Sequence, residues 1–376
     1  MRILVCTTEY PPTFSSGIGN VAYSVVEQLK NHGVECTICS PLNADIKLGN
    51  FRLIQYFGIA GLVHYWYAVS KYFKKSDYDI VWLQNPYFIT YNPFPCCLIT
   101  MHSTYYGISY HRVGNTFFLG MYYKITSIIE RYCLGKISKT TIFTGVGKSV
   151  CDELEKIGID KTRITYIPNG VDNRHFKPIA DKKSVRQKFG ISNDDIILLS
   201  VGRLTPAKQP KLLIEIFSQL EKKMSNLTLC IAGTGEIVDS IKRMKEDAGL
   251  QKVMFLGQVD HVSRLPDLYA GSDYFIITSK YEGGQPPLTL AEAMASGLPC
   301  IVSDIPQLNI VRDANCGIIV HFEDVEKAIN QIYTYLTGIH QEHSKNARNY
   351  AVNTLDWKII AIKYLNIFQE ILKKDN

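Results

Sequence analysis

One stretch of the chain, residues 279–304, constrains the fold more than any other. It lies between two apolar runs, 274–278 and 299–303, which are short and rich in β-branched residues and therefore predict buried strands rather than helices. The residues between these runs predict one helix, because two prolines suit its first turn, apolar residues then repeat at helical spacing, and Gly297 suits its end. The segment therefore predicts a strand, a loop, a helix and a second strand.

The loop of this segment, Glu282-Gly283-Gly284-Gln285, follows the carboxyl end of the first strand and leads into the helix. The free N–H groups and the positive dipole end of a helix N-terminus favour an anion. One carboxylate, Glu282, lies in the loop and a second, Glu292, lies on the helix. The segment therefore predicts a ligand site, and phosphate is the natural candidate.

These residues resemble a known family. The loop, the helix sequence Glu-Ala-Met-Ala-Ser-Gly-Leu-Pro (292–299) and the motifs below look like the retaining, nucleotide-sugar-dependent glycosyltransferases of family 4. The resemblance covers nearly the whole chain and implies an α/β fold of two Rossmann-like domains that face a cleft, called GT-B. It also implies that Glu292 accepts the ribose hydroxyls, that Glu282 orients hydroxyls of the donor sugar, and that Gly283 and Gly284 line the donor.

The spacing of the two glutamates departs from the family pattern. Family members place the second glutamate eight positions after the first, whereas Glu282 and Glu292 are ten positions apart. Gly283, Gly284 and the two prolines are typical of a loop. We therefore expect a longer loop from which Glu282 still reaches the donor sugar.

Two further motifs belong to the second half of the chain. Arg203 and Lys208 lie between a predicted strand, 196–201, and a predicted helix, 210–223. Arginine offers a planar fork and lysine a point charge, and both suit a phosphate beside a helix start. The resemblance implies that this pair binds the donor diphosphate, and that Gln258 and Val259, after another predicted strand, lie along the nucleobase.

In the first half, His102 lies at the carboxyl end of a predicted strand, and the resembling family has a matching histidine near the donor sugar.

The spacing Gly17-x-Gly19-x-x-Ala22 mimics a dinucleotide fingerprint, which requires its first glycine directly after a strand. Nine residues intervene here, so an NAD site is disfavoured. The resemblance instead implies that backbone N–H groups near Gly17 approach the donor phosphate.

The length of 376 residues exceeds one ordinary core and predicts two domains. The sequence Pro-Asn-Gly-Val-Asp with a later Phe176 resembles the family's crossing from one domain to the next. We predict an acceptor-binding domain over 1–178, a nucleotide-sugar-binding domain over 179–354, and a C-terminal helix over 355–376 that packs back on the first domain.

The net charge of +6 is uneven, because residues 1–178 carry 18 Lys and Arg against 12 Asp and Glu, while 179–376 carry 23 of each. Residues 52–148 carry 10 against 3 and are rich in aromatic side chains. This segment fits anionic lipid headgroups or a phosphate-bearing acceptor, and it fits an ordinary basic surface equally well. Its apolar stretch 53–70 and its amphipathic helix 117–139 are candidates for a membrane surface, and burial of 53–70 is equally plausible.

Neither a metal nor a cofactor is predicted. The ten cysteines lie mostly in apolar runs without a zinc spacing, and the Asp77-Tyr-Asp79 motif precedes a strand, at the wrong end of a sheet for a ligand. The N-terminus is itself the first predicted strand rather than a secretory signal, so we expect a cytoplasmic protein, either free in the cytosol or peripheral on the cytoplasmic face of the membrane. No nucleic-acid partner is predicted.

The expected function is transfer of a sugar, with retention of its anomeric configuration and without a metal, from a UDP-sugar or GDP-sugar to a glycan or lipid-linked acceptor. Two alternatives stay open. One is an NAD-dependent oxidoreductase, favoured only by the glycine spacing. The other is a non-catalytic relative that binds a nucleotide sugar, favoured by the spacing from Glu282 to Glu292.

Overall fold

The computed structural model describes residues 1–11, 17–73, 78–90, 92, 94–111 and 117–375. The chain divides into two compact units. The first contains Met1–Gly170, Gly283–Gln285 and Trp357–Asn376, and the second contains Val171–Glu282 and Pro286–Asp356. Each unit is built on its own parallel sheet.

The first sheet has seven parallel strands in the order β3-β2-β1-β4-β5-β6-β7. Its inner strands are almost wholly buried, as expected where helices cover both faces of a parallel sheet. The strands are β1 Arg2–Cys6, β2 Glu35–Ser40, β3 Ile46–Lys47, β4 Ile80–Gln84, β5 Cys97–Met101, β6 Ile142–Gly145 and β7 Ile164–Tyr166.

The second sheet has six parallel strands in the order β10-β9-β8-β11-β12-β13. Its strands are β8 Ile196–Val201, β9 Leu227–Ala232, β10 Val253–Gly257, β11 Tyr274–Ile277, β12 Cys300–Ser303 and β13 Gly317–Val320. The prediction of two Rossmann-like α/β domains is confirmed.

Helices connect the strands in both units. Those of the first unit are α1 Gly17–Asn31, α2 Phe51–Phe57, α3 Ile59–Tyr72, α4 Tyr105–Tyr110, α5 Phe117–Gly135, α6 Lys148–Ile157 and, from the end of the chain, α15 Trp357–Asp375. Those of the second unit are α7 Lys182–Lys188, α8 Pro210–Lys223, α9 Val238–Asp247, α10 Leu265–Gly271, α11 Leu288–Ala295, α12 Ile310–Asp313, α13 Val325–Leu336 and α14 Gln341–Thr354.

In each sheet the chain starts near the middle, builds outward on one side, and then crosses to the other side. In the second unit this switch lies between β8 and β11, and in the first it lies between β1 and β4. Loops that leave the carboxyl ends of strands on either side of such a switch diverge and leave a crevice, where open α/β sheets bind ligands. The topology therefore predicts a ligand site at the loops after β8 and β11.

The C-terminal helix α15 packs on the first sheet. Trp82 of β4 is fully buried, and its ring centroid lies 5.0 Å from that of Tyr364 and 5.7 Å from that of Phe368, both on α15. Its indole N–H donates to Thr100 Oγ1 at 2.8 Å. These contacts place the last helix in the core of the first unit, although the chain reaches it through the second.

Several boundaries differ from the predicted ones. The first unit ends at Gly170 rather than at 178, because the N–H of Val171 donates to the carbonyl of Leu355 at 2.7 Å and so joins the second unit. The apolar stretch 53–70 lies in two helices, separated at Gly58, whose φ of +52° suits a glycine. Helix α5 ends at Gly135 rather than at the predicted 139.

Candidate functional site

The loop after β8 is fixed by the loops on both sides of it. The N–H of Leu204 donates to the carbonyl of Thr234, after β9, at 2.8 Å, and the N–H of Lys280, after β11, donates to the carbonyl of Ala207 at 2.9 Å. A 3₁₀ turn, Pro206–Lys208, then leads into α8 through Gln209, which has a φ of +49°. The predicted phosphate loop is thus a braced segment at the switch point of the second sheet.

The two basic residues of this loop differ in their surroundings. Arg203 is exposed, whereas Lys208 is partly buried and forms an ion pair with Glu282, from the loop after β11. Glu282 is only 6% exposed and also accepts from Ser279 Oγ at 2.7 Å. The structure therefore brings together Lys208 and Glu282, two of the residues predicted for the donor.

The second glutamate of the motif has its own partners. Glu292 lies on α11 and is 6% exposed. His261 Nε2 lies 2.8 Å from its Oε1, and the Tyr269 hydroxyl donates to its Oε2 at 3.0 Å. A carboxylate offers about four lone-pair sites, so two donors leave Glu292 able to accept further hydrogen bonds. The geometry fits a group that receives ligand hydroxyls.

The contact between His261 and Glu292 predicts a dependence of stability on pH. This hydrogen bond raises the pKa of His261 above its ordinary value. Because the folded pKa lies above the unfolded one, the contribution to stability is complete below about pH 6.5 and is lost as the pH rises through the folded pKa. The side chain of His261 is 47% exposed, so solvent screening limits the contribution to about 1 kcal/mol or less.

We expect His261→Gln to reduce the fall in melting temperature of the wild type between pH 6 and pH 8. Melting curves of both proteins across this range check the prediction. The matched change His64→Gln, at an exposed histidine, should leave the profile unaltered. An unchanged profile in His261→Gln would show that the contact does not contribute.

The loop after β10 lies beside the loop after β9, because the N–H of Gly233 donates to the carbonyl of Gly257 at 2.7 Å. Gln258 is exposed and Val259 is partly buried against the core of the second unit. The same loop continues to His261 and so to Glu292. The residues predicted to lie along the nucleobase are thus in one connected group of loops with the phosphate loop.

The remaining predicted residues belong to the first unit. His102 follows β5, its Nε2 lies 2.8 Å from Gln84 Oε1, and burial lowers the pKa of His102 to about 3. Gly17 is the exposed first residue of α1, with open space where a Cβ would lie. Gly283 and Gly284 are partly buried and group with this unit.

Sequence reasoning missed three residues of the second unit: Ser279, His261 and Tyr269. Ser279 was within reach of such reasoning, since it lies three positions before Glu282 in the same loop. His261 and Tyr269 contact Glu292 from 31 and 23 positions away, and no spacing in the sequence indicates those contacts.

Among the residues that the structure describes, no group of three or more His, Cys, Asp or Glu side chains could hold a metal ion. Asp77 of the Asp77-Tyr-Asp79 motif lies outside the described residues.

Comparisons with known proteins match both halves of the chain. Residues 15–175 match the family model Glycosyltransferase Family 4, and residues 181–354 match the model Glycosyl transferases group 1. The chain is 27% identical over 299 residues to the UDP-Gal:alpha-D-GlcNAc-diphosphoundecaprenol alpha-1,3-galactosyltransferase of Escherichia coli, covering 76% of this chain and 74% of that protein. It is 25% identical to an uncharacterized glycosyltransferase of Methanocaldococcus jannaschii, covering 98% of both.

Solved structures agree in fold. WaaG, a glycosyltransferase involved in lipopolysaccharide biosynthesis, superposes with a TM-score of 0.78 at 19% identity, covering 97% of this chain and 99% of that one. HepE of Anabaena, in complex with UDP-glucose, superposes with a TM-score of 0.69 at 16% identity, covering 98% of this chain and all of that one. With the two family matches, these likenesses place the chain among the group 1 glycosyltransferases, which have the GT-B fold.

Proposed function

We propose that this glycosyltransferase moves a sugar from a UDP-sugar or GDP-sugar to a glycan or lipid-linked acceptor, with retention of anomeric configuration and without a metal ion. The observation that carries the proposal is the braced loop with Arg203 and Lys208 at the switch point of the second sheet, beside Glu282. The names of similar proteins support the substrate classes, since one uses UDP-Gal with a diphosphoundecaprenol acceptor and another binds UDP-glucose.

The donor diphosphate is the natural partner of Arg203 and Lys208. Negative charge accumulates on it as the bond from its oxygen to the sugar C1 breaks, and fixed cations stabilise that charge without having to reorganise. Lys208 contacts Glu282 in the ligand-free protein. We infer that the diphosphate draws Lys208 away from Glu282, which frees the carboxylate to accept a hydroxyl of the donor sugar.

Glu292 would accept the ribose hydroxyls of the donor. Its two protein donors fix the orientation of the carboxylate and leave lone pairs for the ligand. The backbone around Gln258 and Val259 would then lie along the base. Binding of UDP against GDP distinguishes uracil from guanine.

His102 would contact the donor sugar as a neutral imidazole. Its low pKa keeps the ring uncharged at physiological pH. With the Gln84 oxygen facing the ring, Nε2 carries the proton and Nδ1 is left as an acceptor. Such a ring can accept a hydrogen bond from a sugar hydroxyl, but it cannot supply a proton as an imidazolium.

Retention requires the acceptor oxygen to form its bond to C1 on the face that the diphosphate leaves. In the proposed step the bond from C1 to the diphosphate oxygen breaks, the acceptor oxygen bonds to C1, and the acceptor proton passes to the departing diphosphate. Arg203 and Lys208 stabilise the leaving group throughout. The step balances without a covalent sugar-enzyme intermediate and without a metal.

The test is a transfer assay with a panel of UDP-sugars and GDP-sugars, undecaprenyl-diphosphate-linked and free glycan acceptors, and excess EDTA. The expected product keeps the anomeric configuration of the donor, as read from the one-bond C1–H1 coupling by NMR, and EDTA leaves the rate unchanged. An inverted product or complete loss of the rate in EDTA would contradict the mechanism. Binding of a nucleotide sugar without turnover of any acceptor would favour the non-catalytic alternative.

We further propose that the first unit meets the acceptor at the surface of an anionic membrane, and that it does so in the cytoplasm. None of the helices among the described residues has the length and hydropathy needed to cross a membrane. The outer face of α5 nevertheless exposes large apolar side chains, and Phe117 and Ile128 are 80% and 70% exposed. The others on this helix include Phe118, Met121, Ile125 and Tyr132.

Charge on this face favours anionic lipid. Lys124, Arg131 and Lys136 are exposed among the apolar side chains of α5 and the residue after it, whereas the one acidic residue of the helix, Glu130, is fully buried. The Tyr122 hydroxyl accepts from the N–H of Ile59 at 3.3 Å, which places the exposed end of α2 next to α5. An apolar and basic face of this kind fits the boundary of headgroups and acyl chains.

Changing Lys124, Arg131 and Lys136 to Glu should abolish vesicle binding. Each basic residue near an anionic surface contributes about 1 kcal/mol, so reversal of three should lower the partition coefficient by more than about 100-fold. Sedimentation with vesicles containing anionic lipid measures it. The matched reversal of Lys222, Lys223 and Lys242, which are exposed in the second unit, should have little effect. Absence of binding by the wild type would contradict this part of the proposal.

A further inference from the structure

Two buried carboxylates, Glu130 and Glu153, meet at the start of α4 in the first unit, outside the predicted donor site. Glu130 lies on the inner face of α5 and is fully buried, and Glu153 lies on α6 and is 5% exposed. Among the residues that the structure describes, no lysine or arginine forms an ion pair with either one. Burying a carboxyl group without a cation costs free energy unless hydrogen bonds compensate for the lost water.

Glu130 holds the first turn of α4 by its backbone. Its Oε1 accepts from the N–H of Tyr105 at 3.0 Å and its Oε2 accepts from the N–H of Tyr106 at 3.0 Å. The hydroxyl of Tyr87 donates to Oε1 at 3.3 Å. The two backbone N–H groups are fixed donors, one to each carboxyl oxygen, and a protonated carboxyl keeps only one strongly accepting oxygen. The observed contacts therefore suit the ionised form of Glu130.

Glu153 holds the residue just before this turn. Thr104 caps α4 by accepting from the N–H of Gly107 at 2.8 Å, and its hydroxyl donates to Glu153 Oε2 at 2.5 Å. The carboxyl group lies directly against Gly107, where any Cβ would collide with it. Within the described part of the chain, Glu153 Oε1 is buried without a hydrogen-bond partner. The cap of α4 is thus fixed from two neighbouring helices.

The segment held in this way directly follows His102. The N–H of His102 donates to Asn85 Oδ1 at 2.7 Å and its ring contacts Gln84, which fixes the histidine from the side of β4. Thr104 and Tyr105 fix the chain on the other side, two and three residues later. We propose that ionised Glu130, supported by Glu153 through Thr104, is a positioning residue that holds residues 103–106 and thereby the site of His102 in the arrangement needed for transfer.

This inference rests on the proposed function of His102. The surroundings of Glu130 and Glu153 predict how stability and activity depend on pH. Burial raises the pKa of both carboxyl groups to about 7. The titratable or charged groups that face Glu130 are Tyr87, Tyr105, Cys133 and Glu153, and those that face Glu153 are Cys151, Asp152, Lys156 and Glu130. Apart from Lys156, none of these favours ionisation by its charge.

Stability and activity should respond to pH in opposite directions. Both folded pKa values lie above that of an unfolded glutamate, so the folded protein binds more protons and loses stability as the pH rises through about 7. Ionisation of Glu130 completes the contacts to α4 in the same range. We therefore expect kcat to rise and the melting temperature to fall between pH 6 and pH 8.

The test compares Glu130→Gln with the wild type. The amide presents an N–H₂ to the N–H of Tyr105 or Tyr106, so one backbone contact is lost. At pH 8 we expect a fall in kcat of at least tenfold, a higher melting temperature, faster hydrogen exchange at the amides of residues 105–106, and loss of the pH dependence of kcat, with nucleotide affinity unchanged. The matched change Glu155→Gln, at an exposed position on α6, should alter none of these.

Glu153→Gln keeps an oxygen that accepts from the Thr104 hydroxyl. This variant tests the inference if Glu130→Gln does not fold. It should raise the melting temperature at pH 8 and reduce kcat less than Glu130→Gln does. Hydrogen exchange and melting can be measured without turnover, so they test the inference even if the protein uses none of the donors. Absence of turnover with every donor would refute the proposed function but not the inference. Unchanged exchange at residues 105–106 in Glu130→Gln, or in Glu153→Gln if Glu130→Gln does not fold, would overturn the inference, and so would an unchanged pH profile of kcat.

Discussion

Replacing both Arg203 and Lys208 with Ala should reduce kcat/KM for the nucleotide sugar by roughly 10² to 10⁴. A hydrogen bond to a charged group contributes about 1.5–3 kcal/mol, so two such residues contribute about 3–6 kcal/mol, and each 1.36 kcal/mol corresponds to a factor of ten in rate. The effect should fall on both donor affinity and kcat, because the diphosphate carries more charge in the transition state than in the bound donor. Steady-state kinetics with the best donor measures it.

The single variants sharpen this prediction. Lys208→Ala also leaves Glu282 without its cation, so it should cost some stability, whereas Arg203→Ala removes an exposed side chain and should not. Melting curves therefore separate an effect on the fold from an effect on the chemistry. Lys211→Ala, at an exposed position of α8 close in sequence, serves as the control and should retain the wild-type rate. A double variant within threefold of the wild type would contradict the assigned roles.

Trp82→Ala should destabilise the first unit by about 3–5 kcal/mol, the usual cost of removing a fully buried large aromatic side chain. The indole contacts Tyr364 and Phe368 on α15 and satisfies Thr100 with its N–H. Its loss opens a cavity under α15, so the last helix should exchange its amide hydrogens faster than the rest of the first unit. Chemical denaturation and hydrogen exchange measure the two effects.

Two further variants serve as references for the effect of Trp82→Ala on stability. Trp82→Phe keeps most of the packing and should cost less than Trp82→Ala. Tyr72→Ala removes an aromatic ring that is 60% exposed at the end of α3 and should change stability little. A loss below about 1 kcal/mol for Trp82→Ala would show that α15 does not depend on this contact.

The sequence predicted the framework well, because its signals are local. The short apolar run 196–201 predicted β8 with the bounds that the structure shows, and Gly297, with a φ of +73°, follows the end of α11 as expected. Parallel strands buried on both faces leave little ambiguity in such runs. The order of strands then places the loops after β8 and β11 side by side, which is how Lys208 and Glu282 meet.

Features that depend on distant contacts could not be predicted in this way. The start of the second unit at Val171 depends on a hydrogen bond to Leu355, and the environment of Glu292 depends on His261 and Tyr269. Glu130 shows the same limit, since a single acid on an amphipathic helix is usually exposed, yet here it is fully buried beneath α4.

The most direct test of the donor site is thermal stabilisation by UDP, GDP and ADP, with NAD as the competing ligand, in the wild type and in the double variant at Arg203 and Lys208. A ligand at a hundred times its dissociation constant adds about 2.7 kcal/mol, which should raise the melting temperature of a unit of this size by several degrees. We expect one nucleoside diphosphate to stabilise the wild type and not the double variant. Stabilisation by NAD alone, or equal stabilisation of both proteins by the diphosphate, would contradict it.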